Sequence, residues 1–447
     1  MDGMSAPHRN RSLWTITCLL LLAVLFIGGC SPRQGATGNP SPSAGEGNDG
    51  SGSTGSETNP QGQASPAAPG KPETPVTPEP PADPAAELLA QLSTEEKIGQ
   101  LVLVGMEGTK PNDVTRSLIE EYHVGGFIFY KDNIQNAKQA LELFNGLKTA
   151  NANEPVPLFL SVDEEGGRVS RMPGELAKLP NARKIGNTGS EELAGQIGGI
   201  IGRELAGFGL NLDFAPVLDV NSNPDNPVIG DRAFGTKPEI VSRMGIAVMK
   251  GIREQGVIPV VKHFPGHGDT SVDSHLGLPV VEHDLTRLRK LELVPFKQAI
   301  QEGADVVMIA HLLMPKLDPE HPASFSKAVI DNLLRQELGF EGTIISDDMT
   351  MGAIVEHYDI ADAAVQFVQA GGNIVLVGHD DEKEKQVIQA LRDAVSSGKI
   401  SAETLDERVY NVLKLKEKYA LTKDAAPGPD TEQINREIGN TLKPYGL

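Results

Sequence analysis

The sequence predicts an α/β protein built on a single (β/α)8 barrel, and three observations support that fold. Eight short apolar runs recur at intervals of a few dozen residues, as expected of buried parallel strands. Segments with helical periodicity lie between these runs, and alternating strands and helices are typical of a parallel sheet. The stretch from 85 to 425 has an ordinary length for a TIM-type barrel.

The predicted strands are runs rich in Val, Ile, Leu and Phe, whereas the predicted helices repeat their apolar residues every three or four positions. The strands are residues 100–104, 126–130, 157–162, 210–220, 257–261, 306–310, 343–346 and 374–377. The helices include residues 191–207, 239–254, 284–302, 326–338, 360–370 and 401–419. Ser93 and Glu96 fit a capping box, so a helix is also predicted to begin there, ahead of the first strand.

An open, doubly wound sheet is the alternative architecture. Such sheets often bind nucleotides through a glycine-rich turn after the first strand. No G-x-G-x-x-G follows the first predicted strand, and the sequence contains no G-x-x-x-x-G-K-[ST] motif. The barrel is therefore preferred, and a nucleotide-binding function is not expected.

The N-terminal segment has the pattern of an export signal. Arg9 and Arg11 precede an apolar run over 13–27, and small residues lead to Cys30. This ending resembles a bacterial lipobox, which implies cleavage after residue 29 and a lipid on Cys30. A transmembrane helix is the alternative, but the apolar run is short for a span. We expect residues 1–29 to be a signal peptide and the protein to be held on the extracytoplasmic face of the cell membrane.

Residues 30–84 contain mostly Gly, Ser, Pro, Asn, Thr and Ala. Such a segment cannot bury enough apolar surface to offset the entropy lost on ordering, so a lipid-anchored, disordered linker is predicted. The folded domain is predicted over 85–425, and the polar residues 426–447 are expected to form a C-terminal tail.

Charge and composition limit the classes of molecule that the protein is expected to bind. The net charge of −20 argues against a nucleic-acid partner, because phosphate binding needs clustered Lys and Arg. Aromatic residues are only 4% of the chain, and its one Trp, Trp14, lies in the N-terminal segment. That is sparse for a polysaccharide-binding surface, so a pocket for a small sugar or a short fragment is expected. We expect a monomer that uses no cofactor.

The stretch from 262 to 279, KHFPGHGDTSVDSHLGLP, concentrates titratable groups. It follows a predicted strand, and a polar, Gly-rich loop after a strand is how α/β scaffolds present catalytic groups. Its glycines predict a loop that moves. The titratable side chains are Lys262, His263, His267, Asp269, Asp273 and His275.

Chemically useful side chains also follow other predicted strands. Each one alone has an ordinary explanation, since Asp often caps a helix and Arg often pairs with an acid. Their recurrence on five strands, whose carboxyl ends meet at one face of a barrel, predicts a shared site. Besides the loop just described, they are Asp163, Glu164, Glu165, Arg168 and Arg171 after the third strand, Asp213, Asp219, Asp231 and Arg232 in or after the fourth, His311 after the sixth, and Asp347 and Asp348 after the seventh.

Carboxylates and histidines, with no G-x-S-x-G motif and no thiol in the expected mature chain, favour glycoside hydrolysis or metal-assisted hydrolysis. A metal site would draw on His263, His267, Asp269, Asp273 and His275, which are ligand types that suit Zn²⁺. However, the H-x-x-x-H spacing lies in a Gly- and Pro-containing loop, without the helix that would put both imidazoles on one face. A metal site is therefore not expected.

Three motifs carry a resemblance to a known family. The segment 333–350, LLRQELGFEGTIISDDMT, resembles the active-site signature of glycoside hydrolase family 3, with Glu337, Gly342 and Ser346-Asp347 at the matching positions. The loop KHFPGHGDTSVDSH and the earlier DEEGGRVSR resemble the bacterial β-N-acetylglucosaminidases of that family, which trim peptidoglycan fragments. The similarity extends over about 90–420, with the motifs in the same order.

The resemblance implies a role for each matching residue. Asp347 is implied to be the nucleophile of a retaining, exo-acting enzyme, forming a covalent glycosyl-enzyme. His275, held by Asp273, is implied to be the general acid and base on a mobile loop. The residues implied to bind the terminal sugar are Asp163, Arg171, Arg232, Lys262 and His263, with His311 lining the pocket.

Elementary chemistry supports this assignment, although most retaining glycosidases use two carboxyls. An Asp on one ring nitrogen of a His fixes the tautomer and favours the charged form, which makes a proton shuttle near neutral pH. A neutral imidazole also avoids placing a second negative charge beside Asp347.

Alternatives remain open. Asp347 and Asp348 resemble the acid pair of substrate-assisted hexosaminidases, in which the acetamido oxygen attacks; a structural role for Asp348, such as capping the next helix, is preferred. A β-glucosidase or β-xylosidase of the same family is another alternative, but the residues after the barrel are too few for the second domain that carries the acid Glu of two-domain β-glucosidases. A non-catalytic, sugar-binding lipoprotein is a third, although it has no need of the Asp273–His275 pair. The sequence does not reveal the aglycone.

Overall fold

Eight parallel strands form one barrel in the part of the chain that the computed structural model describes, residues 83–447. They pair in the order β7-β6-β5-β4-β3-β2-β1-β8, and a bridge between Ile345 and Ile374 joins the two ends. The (β/α)8 prediction is thus confirmed, and each predicted apolar run supplies one strand. The strands are β1 Val102–Val104, β2 Gly126–Phe129, β3 Phe159–Val162, β4 Leu212–Asp213, β5 Ile258–Phe264, β6 Val306–Ile309, β7 Thr343–Ser346 and β8 Val375–Val377.

Helices surround the strands and bury their apolar stripes against them, which gives the two-layer core typical of this fold. Ser93 and Glu96 make the predicted capping box at the start of α2. Within residues 83–447 the α-helices are α1 Pro84–Gln91, α2 Thr94–Gln100, α3 Asp113–Glu120, α4 Ala137–Ala150, α5 Ala182–Thr188, α6 Glu191–Phe208, α7 Pro238–Arg253, α8 Leu285–Lys290, α9 Leu293–Gln301, α10 Gly352–Val355, α11 Ile360–Ala370, α12 Asp381–Ser396, α13 Ala402–Lys418 and α14 Thr431–Leu442; Ala328–Glu337 forms a wider π-helix.

Two predicted elements are interrupted, and in each case a proline follows the break within four residues. The run 210–220 supplies only the two-residue β4, since Pro216 lacks the N–H needed for a regular ladder and the chain continues beside β5 irregularly. The predicted helix 284–302 divides into α8 and α9 at Leu291, four residues before Pro295. Proline has no N–H to donate to the carbonyl four residues earlier, here that of Leu291, and its ring clashes with that carbonyl.

The C-terminal segment differs from the expected polar tail. Residues Thr431–Leu442 form helix α14, which packs against α6 and is capped by Asp430. Ile434, Ile438 and Leu442 recur every fourth residue, so they share the face that is buried. The low overall hydrophobicity of 426–447 concealed this one-sided pattern.

Two sequence predictions fall outside the described residues. The signal peptide (1–29) and Cys30 precede residue 83, as does nearly all of the predicted linker (30–84). Within residues 83–447, no helix combines the length and the apolar character that crossing a bilayer requires.

Candidate active site

A cavity of about 450 Å³ opens at the carboxyl ends of the strands. Side chains from the segments that follow β2, β3, β4, β5, β7 and β8 converge on it, as the barrel prediction requires. Eight of the nine predicted catalytic and sugar-binding residues line it, namely Asp163, Arg171, Arg232, Lys262, His263, Asp273, His275 and Asp347.

Lys262 lies near the end of β5 and is almost fully buried. Its Nζ atom is 2.6 Å from Oδ1 of Asp163 and 2.7 Å from Oε1 of Glu165. The Nε and Nη2 atoms of Arg232 donate to Oε2 and Oε1 of Glu165, at 2.8 Å and 2.7 Å. Burial by itself raises the pKa of Glu165, but the Arg232 and Lys262 charges outweigh it and hold that pKa well below its ordinary value. Glu165 is therefore ionised between these two cations.

Arg171 lies on the other side of Asp163. Its Nη2 atom is 3.5 Å from Oδ2 of Asp163, and its backbone N–H donates to the buried carboxyl of Glu164 at 2.8 Å. Asp163 thus contacts both Lys262 and Arg171 at the cavity wall, where its carboxyl oxygens can accept a hydrogen bond from a ligand hydroxyl.

His263 is oriented by a buried carboxylate, that of Asp219. The ring Nδ1 atom of His263 is 2.7 Å from Oδ2 of Asp219, and its Nε2 atom is 3.4 Å from Nη2 of Arg232. Since the guanidinium can only donate, these contacts assign the proton to Nδ1 and leave Nε2 as an acceptor. Burial raises the pKa of Asp219, but the contact with His263 and further hydrogen bonds lower it below its ordinary value.

Asp347 immediately follows β7. Its Oδ1 atom accepts the backbone N–H of Asp348 at 2.9 Å, which leaves Oδ2 open to the cavity. Burial raises the pKa of Asp347, but interactions with His263 and His311 and the N–H of Asp348 bring it below its ordinary value. At neutral pH Asp347 is therefore a carboxylate, the state that a nucleophile needs.

His275 lies on the loop of residues 265–280, which follows β5. Its Nδ1 atom is 2.8 Å from Oδ1 of Asp273, which also accepts the His275 backbone N–H at 2.9 Å. The imidazole is 64% exposed at the cavity mouth, so Nε2 is free for a substrate atom. A ring held at one nitrogen by a carboxylate and free at the other can carry a proton to a departing group and back.

His311 does not line the cavity, contrary to the prediction. It is completely buried, with Nδ1 2.8 Å from Oγ of Ser324 and Nε2 3.0 Å from the carbonyl oxygen of Asp348. It follows a strand like the other site residues, but its ring turns beneath the strand end and supports the backbone of Asp348. Its position along the chain could not reveal that direction.

Asp348 does line the cavity, and it does not cap the next helix. Its Oδ1 atom accepts the backbone N–H groups of Gly378 and Thr350, both at 2.9 Å. Its Oδ2 atom is 3.3 Å from the hydroxyl of Tyr130, whose ring stacks on that of His379 with centroids 4.3 Å apart. Burial, and then the charge of Asp348, raises the pKa of Tyr130 well above its ordinary value, so the phenol remains a neutral donor.

Sequence reasoning missed the roles of several residues. Tyr130 and His379 lie within two residues of the ends of β2 and β8, so the strand-end criterion that found the other residues applies to them too. Glu165 and Asp219 follow predicted strands, but the sequence assigns them no role, because nothing in it pairs them with Arg232 or His263.

The loop residues considered as metal ligands do not converge. Asp219 holds the ring of His263, while Asp269 pairs with His283 and Asp273 with His275. Within residues 83–447 no group of three His, Cys, Asp or Glu side chains has the arrangement of a metal centre.

Comparison with known proteins agrees with this geometry. Residues 93–415 match the Glycosyl hydrolase family 3 N terminal domain. Beta-hexosaminidase A of Pseudoalteromonas piscicida is 34% identical over 367 residues, which cover 73% of this chain and 61% of that protein. Beta-hexosaminidase LpqI of Mycobacterium tuberculosis is 36% identical over 340 residues, which cover 74% of this chain and 84% of that one.

Among solved structures, a glycoside hydrolase family 3 beta-N-acetylglucosaminidase from Paenibacillus sp. str. FPU-7 aligns with a TM-score of 0.75 at 41% identity, covering 79% of this chain and 68% of that one. M. tuberculosis LpqI aligns with a TM-score of 0.67 at 35% identity, covering 74% and 96%. The chain thus spans less than two thirds of the Pseudoalteromonas relative and nearly all of the LpqI structure.

Proposed function

The chain belongs to glycosyl hydrolase family 3 and groups with its β-N-acetylhexosaminidases, and from that premise we propose that it is an exo-acting, retaining β-N-acetylglucosaminidase. Its proposed substrates are peptidoglycan-derived fragments with a terminal, non-reducing N-acetylglucosamine. The observation that carries the proposal is that the Asp347 carboxylate and the Asp273–His275 pair line the same cavity. A binding protein needs neither group in that arrangement.

In the first step, Oδ2 of Asp347 attacks the anomeric carbon of the terminal sugar. The bond to the leaving oxygen breaks, and protonated His275 gives its Nε2 proton to that oxygen. The product is a glycosyl ester of Asp347, and the ring of His275 is left neutral.

In the second step, neutral His275 removes a proton from water, and the resulting oxygen attacks the same carbon. The ester breaks, Asp347 returns to a carboxylate and His275 is again protonated. Two inversions at one carbon give net retention.

The charged wall formed by Asp163, Arg171, Lys262, Arg232 and His263 is proposed to bind the hydroxyls and the acetamido group of the terminal sugar. Its ions are paired with one another before ligand binding, so little reorganisation is needed when the sugar enters. A cavity of about 450 Å³ is in the range of small-ligand sites, which favours capture of a chain end over binding along a polymer.

Trapping of the glycosyl-enzyme tests the mechanism. The protein is incubated with 2-acetamido-2-deoxy-5-fluoro-glucosyl fluoride, digested and mapped by mass spectrometry. We expect one label, on Asp347, and none in Asp347→Asn. Absence of label together with inhibition by a thiazoline analogue would instead indicate substrate-assisted attack, for which Asp348 is the available second carboxylate.

Release of p-nitrophenol from its β-N-acetylglucosaminide tests whether the protein is an enzyme at all. We expect activity in the wild type and a large loss in His275→Ala. A wild type that binds N-acetylglucosamine without releasing p-nitrophenol would favour the sugar-binding alternative. Activity on the β-glucoside or β-xyloside above that on the β-N-acetylglucosaminide would favour those family members instead.

The physiological substrate is addressed by mass analysis of products from purified muropeptides. Loss of a single N-acetylglucosamine from each fragment is the expected result. Cleavage of chitin oligomers alone, with muropeptides left intact, would contradict the peptidoglycan part of the proposal.

The N-terminal pattern supports a proposed location on the extracytoplasmic face of the cell membrane, with Cys30 carrying the lipid. The protein labelled with an alkyne palmitate analogue should appear in the membrane fraction, and Cys30→Ala should lose both label and membrane association. An unlabelled wild type would refute the anchor, with no consequence for the proposed chemistry.

A further inference from the structure

The loop of residues 265–280 makes few hydrogen bonds to the rest of the protein around Asp273 and His275. Its segment 271–278 carries Asp273 and His275, and most of its side chains point to solvent; that of Leu276 is 76% exposed. Ser274 lies in the middle of this segment and is only 2% exposed. Within residues 83–447, the hydrogen bonds that leave the segment 271–278 are both made by Ser274.

The first contact joins the Ser274 hydroxyl to His267, whose Nε2 atom is 3.2 Å from Oγ. His267 is itself fixed, because its backbone N–H donates to Oδ1 of Asp219 at 2.6 Å and its Nδ1 atom is 2.8 Å from Oγ1 of Thr270. Asp219 is the same carboxylate that orients His263 in the charged wall. The hydroxyl contact therefore ties the loop to the binding side of the cavity.

The hydrogen bonds around His267 define which atom donates. The Thr270 hydroxyl donates to the carbonyl oxygen of His267 at 3.1 Å, so its oxygen accepts from Nδ1–H of the ring. Burial lowers the pKa of His267 to about 4, so the ring is neutral and has one proton. Nε2 is then an acceptor, and the Ser274 hydroxyl donates to it.

The second contact joins the Ser274 carbonyl to the nucleophile side of the cavity. The backbone N–H of Ala353, in α10, donates to that carbonyl at 3.0 Å. Helix α10 follows Asp347 and Asp348 within a few residues. At Gly352 a Cβ atom would lie 2.7 Å from the carbonyl oxygen of His275, so this close approach depends on the glycine.

We propose that Ser274 is a positioning residue that holds the Asp273–His275 pair between the charged wall and Asp347. This inference rests on the proposed acid–base role of His275. Ser274 touches no reacting atom; it acts by holding the neighbouring imidazole at the distance that proton transfer requires. Without its hydroxyl, the segment 271–278 keeps only the Ala353 hydrogen bond to the rest of residues 83–447, so we expect it to move more freely at the cavity mouth.

The test compares two substrates that differ in their need for an acid. N,N′-diacetylchitobiose has a poor leaving group and needs the proton from His275, whereas the 2,4-dinitrophenyl glycoside leaves without one. We expect Ser274→Ala to lower kcat/KM for the chitobiose by roughly 10- to 100-fold, part of the range that general acid catalysis supplies, and to leave the dinitrophenyl value within about 3-fold. Ser274→Thr, which restores a hydroxyl, should recover most of the difference.

The ratio of the two kcat/KM values does not depend on the fraction of folded enzyme, so partial unfolding cannot imitate the effect. Ser271→Ala, an exposed serine of the same segment, is the matched control and should leave the ratio unchanged. Equal losses on both substrates, or no loss on either, would overturn the inference.

His275→Ala separates this inference from the proposed function. If His275→Ala loses chitobiose activity selectively and Ser274→Ala does not, only the positioning role fails. If His275→Ala shows no selectivity, the acid assignment itself fails.

Discussion

The Nζ atom of Lys262 lies 2.6 Å from Oδ1 of Asp163, although the two residues are 99 positions apart along the chain. The ammonium is buried, and it also holds Glu165 at 2.7 Å. One cation thus contacts two carboxylates, and Glu165 receives a second cation from Arg232. Buried ions of this kind are costly to leave unpaired.

Lys262→Met should therefore impair both stability and activity. Removing one partner of a buried ion pair costs about 3–5 kcal/mol of unfolding free energy, and the loss of Asp163 orientation should lower kcat/KM. Urea denaturation and p-nitrophenyl kinetics measure the two effects. Lys250→Met, which removes an exposed pair with Glu302, is the control and should change neither. A Lys262 variant as stable as wild type would show that the network is dispensable.

Asp273→Asn should lower kcat much more than it raises KM. The amide keeps the size of the side chain, but it removes the negative charge that stabilises protonated His275 at Nδ1. Steady-state kinetics on the chitobiose measure both parameters. A rise in KM with unchanged kcat would instead place Asp273 in substrate binding.

Glu164→Gln should stabilise the protein at alkaline pH. Burial raises the pKa of Glu164 from 4.5 to about 7, in a region where Glu204 and Asp213 also have raised pKa values. Since the folded pKa lies above the unfolded value, the stability contributed by this carboxyl is complete below pH 4.5 and is lost as pH rises through 7. Gln can still accept the Arg171 N–H and carries no charge.

We expect the gain in unfolding free energy from Glu164→Gln to be larger at pH 8 than at pH 5 by roughly 2 kcal/mol. Urea denaturation across this pH range measures it. Glu192→Gln, at an exposed position of α6, should show no such trend. Parallel curves for wild type and Glu164→Gln would contradict the buried-acid account.

Gly378→Ala should lower activity by displacing two side chains that line the cavity, those of Tyr130 and Asp348. An added Cβ would overlap the Tyr130 hydroxyl and the Asp348 carboxylate, which meet in front of this glycine. Displacement of these groups beside Asp347 should reduce kcat/KM by roughly 10- to 100-fold, as expected when active-site geometry shifts by about 1 Å. Gly439→Ala, where an added Cβ has no neighbour within 4 Å, is the control. Wild-type activity in Gly378→Ala would mean that Tyr130 and Asp348 do not contact substrate.

Ile438→Ala tests whether the C-terminal segment belongs to the folded domain. Ile438 is 2% exposed in the contact between α14 and α6, so its truncation should cost about 2–4 kcal/mol of unfolding free energy. Asn440→Ala, on the exposed side of α14, should cost far less. Kinetic constants at 25 °C should be unchanged in both, because the helix lies away from the cavity. Equal stability of the two variants would show that residues 426–447 are a tail that does not stabilise the folded domain.

The sequence by itself determined the barrel and most of the cavity wall. Strand and helix periodicity are local properties, so eight apolar runs could be placed to within a few residues. The carboxyl ends of parallel strands must share one face, so the polar groups that follow them, such as Asp163, Lys262 and Asp347, could be assigned to one site. The capping box at Ser93 was equally local, since both of its partners lie within four residues.

Only the tertiary structure decided how these groups meet. His311 and His263 both accompany strand ends, yet one ring turns under the barrel rim and the other faces the cavity. The pairing of Glu165 with Arg232, the seat of Ser274 against His267, and the packing of α14 on α6 likewise arise from packing. Side-chain direction, burial and partner choice depend on atoms contributed by distant parts of the chain, and no local pattern in the sequence records where those atoms will be.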